Sequence, residues 1–159
     1  MRTTIALSDG LRDEDMLWLF QVGVERVINP GTAIVHEGVR PNAIFVVIRG
    51  SFNVGVETLA DEPLAKLGAG ELIGEISFLE GSPASATIVA DEESAVIVVD
   101  SQVLNERLRE NTAFAARMYR TFALVAERRL RNRVDHLAFL FELGRGPGSQ
   151  RDSCVAACD

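Results

Sequence analysis

Apolar and polar positions change rhythm twice along the 159 residues. Residues 11–20 open with Arg12-Asp13-Glu14-Asp15 and continue as Met16-Leu17-Trp18-Leu19-Phe20. Acids in a first turn suit the positive end of a helix dipole, so a short helix is predicted there. From about residue 22 the texture becomes short β-type runs broken by turn residues. Residues 24–28 end at Asn29-Pro30-Gly31, 33–35 at Glu37-Gly38, and 43–48 at Arg49-Gly50. Runs at 52–56 and 63–67 follow, the second stopped by Gly68-Ala69-Gly70. Residues 71–76 lead into a tight helical turn at 77–81, and runs at 85–90 and 94–99 complete the series. Strands of about five residues, recurring every roughly 8–12 positions with turn chemistry between them, predict a mainly β fold. The architecture expected is an antiparallel β-barrel or jelly roll with flanking helices.

After Asp100 the period lengthens. Residues 101–110 read as a short helix capped by Asp100 or Ser101. Asn111 or Thr112 then caps a long C-terminal helix reaching about Leu143. Its apolar positions Phe114, Met118, Phe122, Val125, Leu130, Val134, Leu137 and Phe141 advance by three to five residues. From Leu130 onward the spacing is that of a coiled-coil seam. A helix of about 30 residues is ~45 Å long, more than a small barrel spans. Its far end, Leu137-Ala138-Phe139-Leu140-Phe141, is too apolar to stand in water. Pairing of residues 111–143 with a second copy around a two-fold axis is therefore expected, giving a homodimer. Gly144 stops the helix, and 144–159 reads as a flexible tail. The division expected is a 1–110 β-barrel domain with its short helices, a 111–143 dimer helix and the tail.

Charge sharpens this division. The chain carries a net −7, but residues 1–110 hold 18 acidic and 8 basic residues, whereas 111–145 hold 3 acids and 7 arginines. An acidic body argues against a nucleic-acid partner. Apolar runs such as 43–48 and 95–99 are far below the roughly 20 residues of a spanning helix, so no membrane is expected. Met1-Arg2-Thr3-Thr4-Ile5 begins no apolar signal-peptide core, and a cytoplasmic location is expected. Cys154 and Cys158 lie in the tail without the further ligands of a zinc site. His36 and His136 stand far apart in the sequence with no motif around them, which leaves no metal cluster and no catalytic triad. That poverty also counts against a metal-dependent enzyme on a similar small barrel, and neither an enzyme nor a bound cofactor is expected.

The chemistry lies in residues 74–90. They read as strand, one helical turn, loop, strand. Unpaired amides at the start of a turn, together with its dipole, favour an anion. Glu75, beside small Gly74, can present an acceptor to a ligand hydroxyl, and Ser85 and Thr87 offer donors. A phosphate with adjacent hydroxyls suits that set.

This stretch, Gly74-Glu75-Ile76-Ser77-Phe78-Leu79-Glu80-Gly81-Ser82-Pro83-Ala84-Ser85-Ala86-Thr87, closely resembles the phosphate-binding cassette of cyclic nucleotide-binding domains. Bacterial catabolite-activator-type regulators and the regulatory subunits of cyclic-AMP-dependent kinase carry such cassettes. The similarity runs from about Leu11 to Leu143. It takes in Asn29-Pro30-Gly31, Glu37-Gly38, Ile44-Phe45-Val46-Val47-Ile48-Arg49-Gly50 and the run from Leu67 to Glu75. Ala126-Glu127-Arg128-Arg129-Leu130 and Leu137-Ala138-Phe139-Leu140 look like the dimer helix of the bacterial regulators. The resemblance implies cyclic AMP or cyclic GMP as the ligand. It places Glu75 on the ribose 2′-hydroxyl and the amides near Ile76-Ser77 and Ala84-Ser85 on the cyclic phosphate, assisted by Ser85. Gly74, Ala86 and Thr87 complete the set. It turns the base toward Arg128, Arg129 and Asn132, and ligand binding would shift barrel against helix.

Two departures qualify that picture. The family places an arginine after the proline, where this chain has Ala84. That arginine neutralises the phosphate through a charge-assisted contact, and losing one partner of such a pair costs about 2–5 kcal/mol. Arg129 or Arg40 would have to reach the phosphate from elsewhere, or a less charged ligand would bind, or the pocket stays empty. The bacterial activators also continue into a helix-turn-helix, whereas about 16 residues follow Leu143 here, so a DNA-binding output is not expected. Two readings follow: a stand-alone regulatory domain that signals from a cyclic nucleotide to an unknown protein partner, and a ligand-independent dimerisation module with a degenerate pocket.

Overall fold

The two most apolar runs of the chain become its two central strands, because both of their faces are covered. In the computed structural model, which describes residues 7–57 and 63–144, β3 (Ala43–Arg49) pairs antiparallel with β8 (Ser94–Asp100). Ile44 opposite Val99 and Val46 opposite Ile97 face the helices. Phe45 opposite Val98 and Val47 opposite Val96 face the other sheet. A strand buried on both sides loses the polar alternation of a half-solvated one. Expectations that fall on 1–6 and 145–159, including Cys154 and Cys158, and on the side chains of His136, Phe139, Leu140 and Phe141, lie outside the described residues.

Among the described residues, eight strands form two four-stranded antiparallel sheets, as the jelly-roll expectation requires. The first has the order β1 (Val24–Ile28), β8, β3, β6 (Leu72–Ile73). The second runs β2 (Ala33–Val35), β7 (Thr87–Ala90), β4 (Ser51–Gly55), β5 (Ala65–Gly68). The β3–β4 turn at Gly50 has φ +88°, and a Cβ there would stand 2.2 Å from Ser94 Oγ, so glycine is required by both torsion and space.

Two apolar clusters result. Between the sheets lie Val35, Val47, Phe52, Val54, Leu67, Ile73, Ala84, Ala90 and Val96. Behind the first sheet, helices supply larger side chains: Leu19 from α1 (Asp13–Val22), Leu104 and Leu108 from α3 (Ser101–Glu110), and Phe114, Met118 and Phe122 from α4 (Thr112–Gly144). Asp100 caps α3 by accepting from the amides of Gln102 (2.7 Å) and Val103 (3.3 Å). Asn111 Oδ1 caps α4 by accepting from Phe114 N–H (2.9 Å).

Element ends differ from the sequence reading in several places, among them the helical turn expected at 77–81, which spans Glu75–Glu80, and the run at 63–67, which becomes a strand at Ala65–Gly68. The first helix runs 13–22 and not 11–20. The run at 71–76 contributes only two strand residues before α2 (Glu75–Glu80) begins, and that at 85–90 becomes a strand from Thr87. Compact packing divides the chain inside α4: one unit runs through Val125, and a second begins at Ala126. The first half of α4 belongs to the barrel unit, where its Phe114, Met118 and Phe122 are buried. On the second unit's helix, Leu130, Val134 and Leu137 are exposed at 65%, 54% and 54%. Glu127 and Arg131 form an ion pair one turn apart. Among the described residues no helix is long and apolar enough to cross a membrane, and no group of metal-ligating side chains is found.

Candidate functional site

The cassette starts where β6 stops. Gly74 has φ +91°, and a Cβ there would stand 3.1 Å from the Ala43 carbonyl oxygen of β3. Glycine therefore turns the chain directly over the sheet and opens α2 without a side-chain cap. The first amides of a helix have no partner inside it. Glu75 stands in that first turn and is 1% exposed, an unusual environment for a carboxylate, and Ser77 is buried beside it. Ile76 and Leu79 face outward. Gly81 ends α2 at φ +66°, its N–H donating to the Ser77 carbonyl (2.9 Å).

The loop that follows is tied to the β2–β3 connection. Gly38 N–H donates to the Ala84 carbonyl (2.8 Å), and Ala84 N–H donates to the Val39 carbonyl (3.0 Å). Glu37 N–H donates to Thr87 Oγ1 (3.0 Å). Ala84 is 8% exposed and packs into the cluster between the sheets. Position 84 thus points inward, as a ligand contact would, but its amide is engaged with Val39. The amides of Ser85 and Ala86 make no backbone hydrogen bond among the described residues, and the Ser85 side chain is exposed. Thr87 serves as an acceptor for the loop, a role its sequence position did not reveal.

Of the residues singled out from sequence, Gly74, Glu75, Ile76, Ser77, Ala84, Ser85, Ala86 and Thr87 all lie on one continuous segment of the barrel unit. Arg40 joins them through the paired loop, its Nη2 3.5 Å from where a Cβ on Gly81 would stand. Arg128, Arg129 and Asn132 lie on the second unit's helix.

Sequence reasoning missed a second constellation. Asp15, 2% exposed, accepts from Arg117 Nε (2.6 Å) and Nη2 (2.8 Å) and from Arg12 N–H (2.9 Å). The Arg117 hydrogen bonds hold the Asp15 carboxyl below its ordinary pKa, and burial opposes them. This pair fastens α1 to α4, and Phe78 of α2 meets Phe122 of α4 at 5.8 Å between ring centres. An Asp in a first turn reads as a dipole partner, and nothing local announces an arginine 102 residues away.

A two-sheet roll with a glycine-opened helical cassette between β6 and β7 defines the class. Residues 25–111 match the cyclic nucleotide-binding domain model, and the chain belongs to that family. A cAMP-dependent protein kinase regulatory subunit of Blastocladiella emersonii is 27% identical over 100 residues, covering 62% of this chain and 25% of that protein. The chain thus spans about a quarter of that relative's length. The catabolite activator protein of Thermus thermophilus superposes with TM-score 0.66 at 26% identity, over 84% of this chain and 62% of the other. A cyclic nucleotide-binding domain from Methylobacillus flagellatus shares the fold with TM-score 0.73 at 21% identity, over 87% and 76%.

Proposed function

We propose that this chain is a regulatory domain that takes cyclic AMP or cyclic GMP on the α2 cassette. Glu75 accepts from the ribose 2′-hydroxyl. The amides of Ile76, Ser77, Ser85 and Ala86, with the Ser85 hydroxyl, hold the cyclic phosphate. The observation that carries this reading is Glu75: a carboxylate 1% exposed, in the first turn of a helix opened by a left-handed glycine. Two copies pair through 111–143, a reading supported by Leu130, Val134 and Leu137 standing exposed on one helical face. The output passes to a protein partner, and no catalysis is assigned.

A second reading, a ligand-independent dimerisation module, is favoured by Ala84, which stands where the family has its arginine and whose amide bonds to Val39. Melting temperatures with and without millimolar cyclic AMP and cyclic GMP separate the two. A ligand at 100 times its dissociation constant stabilises by about 2.7 kcal/mol, a rise of roughly 5–10 °C for a domain this size. A rise in the wild type supports the regulatory domain. A rise only in Ala84→Arg marks a pocket that has lost its ligand, and no rise in either favours the module. Sedimentation of Val134→Asp tests the dimer: a wild type already monomeric removes that part of the proposal.

A further inference from the structure

We propose that Arg40, on the β2–β3 loop, supplies the guanidinium that meets the ligand's phosphate; this rests on the reading of the cassette as a cyclic-nucleotide site. An anion approaching this acidic body needs a cation, and the cassette itself holds none. Between the start of β1 and the end of β8 the chain has four basic residues, Arg26, Arg40, Arg49 and Lys66. Arg49 is 3.1 Å from Glu93, and Lys66 is 2.7 Å from Asp91, so both already have carboxylates. Arg26 lies on β1, at the opposite edge of its sheet from β6, about 14 Å away at the usual strand spacing.

Arg40 remains, and the backbone delivers it to the site. The residues just before it are bound to the cassette loop by three hydrogen bonds, two joining Gly38 and Val39 to Ala84 and one joining Glu37 to Thr87. Its Nη2 stands 3.5 Å from the place where a Cβ on Gly81 would be, at the C-terminal end of α2. Among the described residues it has no ion pair and no hydrogen bond, so no bond must break before it moves. The first turn of α2 is about 6–8 Å from Gly81 along the helix, a distance an exposed arginine side chain crosses by changing rotamers. The cation lost at position 84 is thus replaced from the neighbouring loop, and the ligand ties loop to cassette.

Calorimetric titration of the full chain tests this with cyclic AMP and cyclic GMP, and with adenosine and guanosine as uncharged probes. Arg40→Ala is expected to weaken cyclic-nucleotide binding by about tenfold to a hundredfold, with nucleoside binding and the ligand-free melting temperature unchanged. Arg40→Lys should retain part of the affinity, and Arg40→Ala combined with Ala84→Arg should recover it. Equal losses for nucleosides and cyclic nucleotides would make Arg40 a loop-shaping residue and overturn the proposal. Undiminished affinity in Arg40→Ala overturns it while leaving the cassette reading intact. Binding by Ala84→Arg but not by the wild type also overturns it, since the pocket would exist unserved by Arg40. If no variant binds, both readings fall together.

Discussion

The two faces of the β3–β8 pair do different work. Toward the helices lie large, interlocked side chains, with Trp18 edge-on to Phe114 at 5.2 Å and Phe78 against Phe122. Toward the second sheet the cluster is mostly valine, alanine and one buried phenylalanine, Phe52, and it reaches the ligand cassette through Ala84. The helix side is where α1, α3 and α4 are held together, and the inner side is where a change of residue meets the cassette. The two lessons separate stability from recognition across a single layer of backbone.

The sharpest way to break that contrast is Phe114→Ala. Loss of a fully buried ring should cost about 3–5 kcal/mol in chemical denaturation, with ligand affinity of the folded fraction preserved. A large change in affinity instead would show that the two faces are not separable. Asp15→Asn should cost about 2–4 kcal/mol at neutral pH, since Arg117 loses its buried carboxylate and keeps only the exposed Glu14, 3.5 Å away. The pH dependence has a definite sign. Asp15 titrates below its ordinary value of 3.8 when folded, so its contribution is complete above that value and is lost as pH falls through the folded pKa. Below about pH 4 the wild type should therefore lose stability more steeply than Asp15→Asn, and parallel curves would refute the assignment.

Gly74→Ala probes the cassette side. A β-carbon in left-handed backbone, 3.1 Å from a carbonyl oxygen, should cost about 1–3 kcal/mol and weaken ligand binding more than Phe114→Ala does. The smallest effect is expected from Thr87→Val, about 1 kcal/mol, through the exposed bond to Glu37 N–H. Its value lies in the ligand titration: loosening the loop that carries Arg40 should lower affinity more than stability.

Much of this was legible in the chain. The runs at 43–48 and 95–99 announced strands because burial on both faces leaves no polar position inside them. The stripe from Phe114 to Phe122 announced a helix because its spacing matches the helical period. The same stripe continues into Leu130, Val134 and Leu137, and periodicity alone does not say where one compact unit ends; the division falls between Val125 and Ala126. The run 71–76 looked like one strand because Leu72, Ile73 and Ile76 are apolar, yet the positive φ at Gly74 ends it. A helix as short as α2 leaves too few turns for a periodic pattern. The letters Pro83-Ala84-Ser85 revealed a missing arginine, but only the fold shows that Val39 bonds to that position and brings Arg40 along.

Trp18 is the chain's one tryptophan, and its half-buried ring meets the Arg107 guanidinium at 5.2 Å and Phe114, where α1, α3 and α4 converge. Indole emission responds to the charge and polarity around the ring. Any rearrangement that slides α4 relative to α1 would register as a change in fluorescence, so the protein carries an intrinsic optical gauge of its own motion, readable without a label.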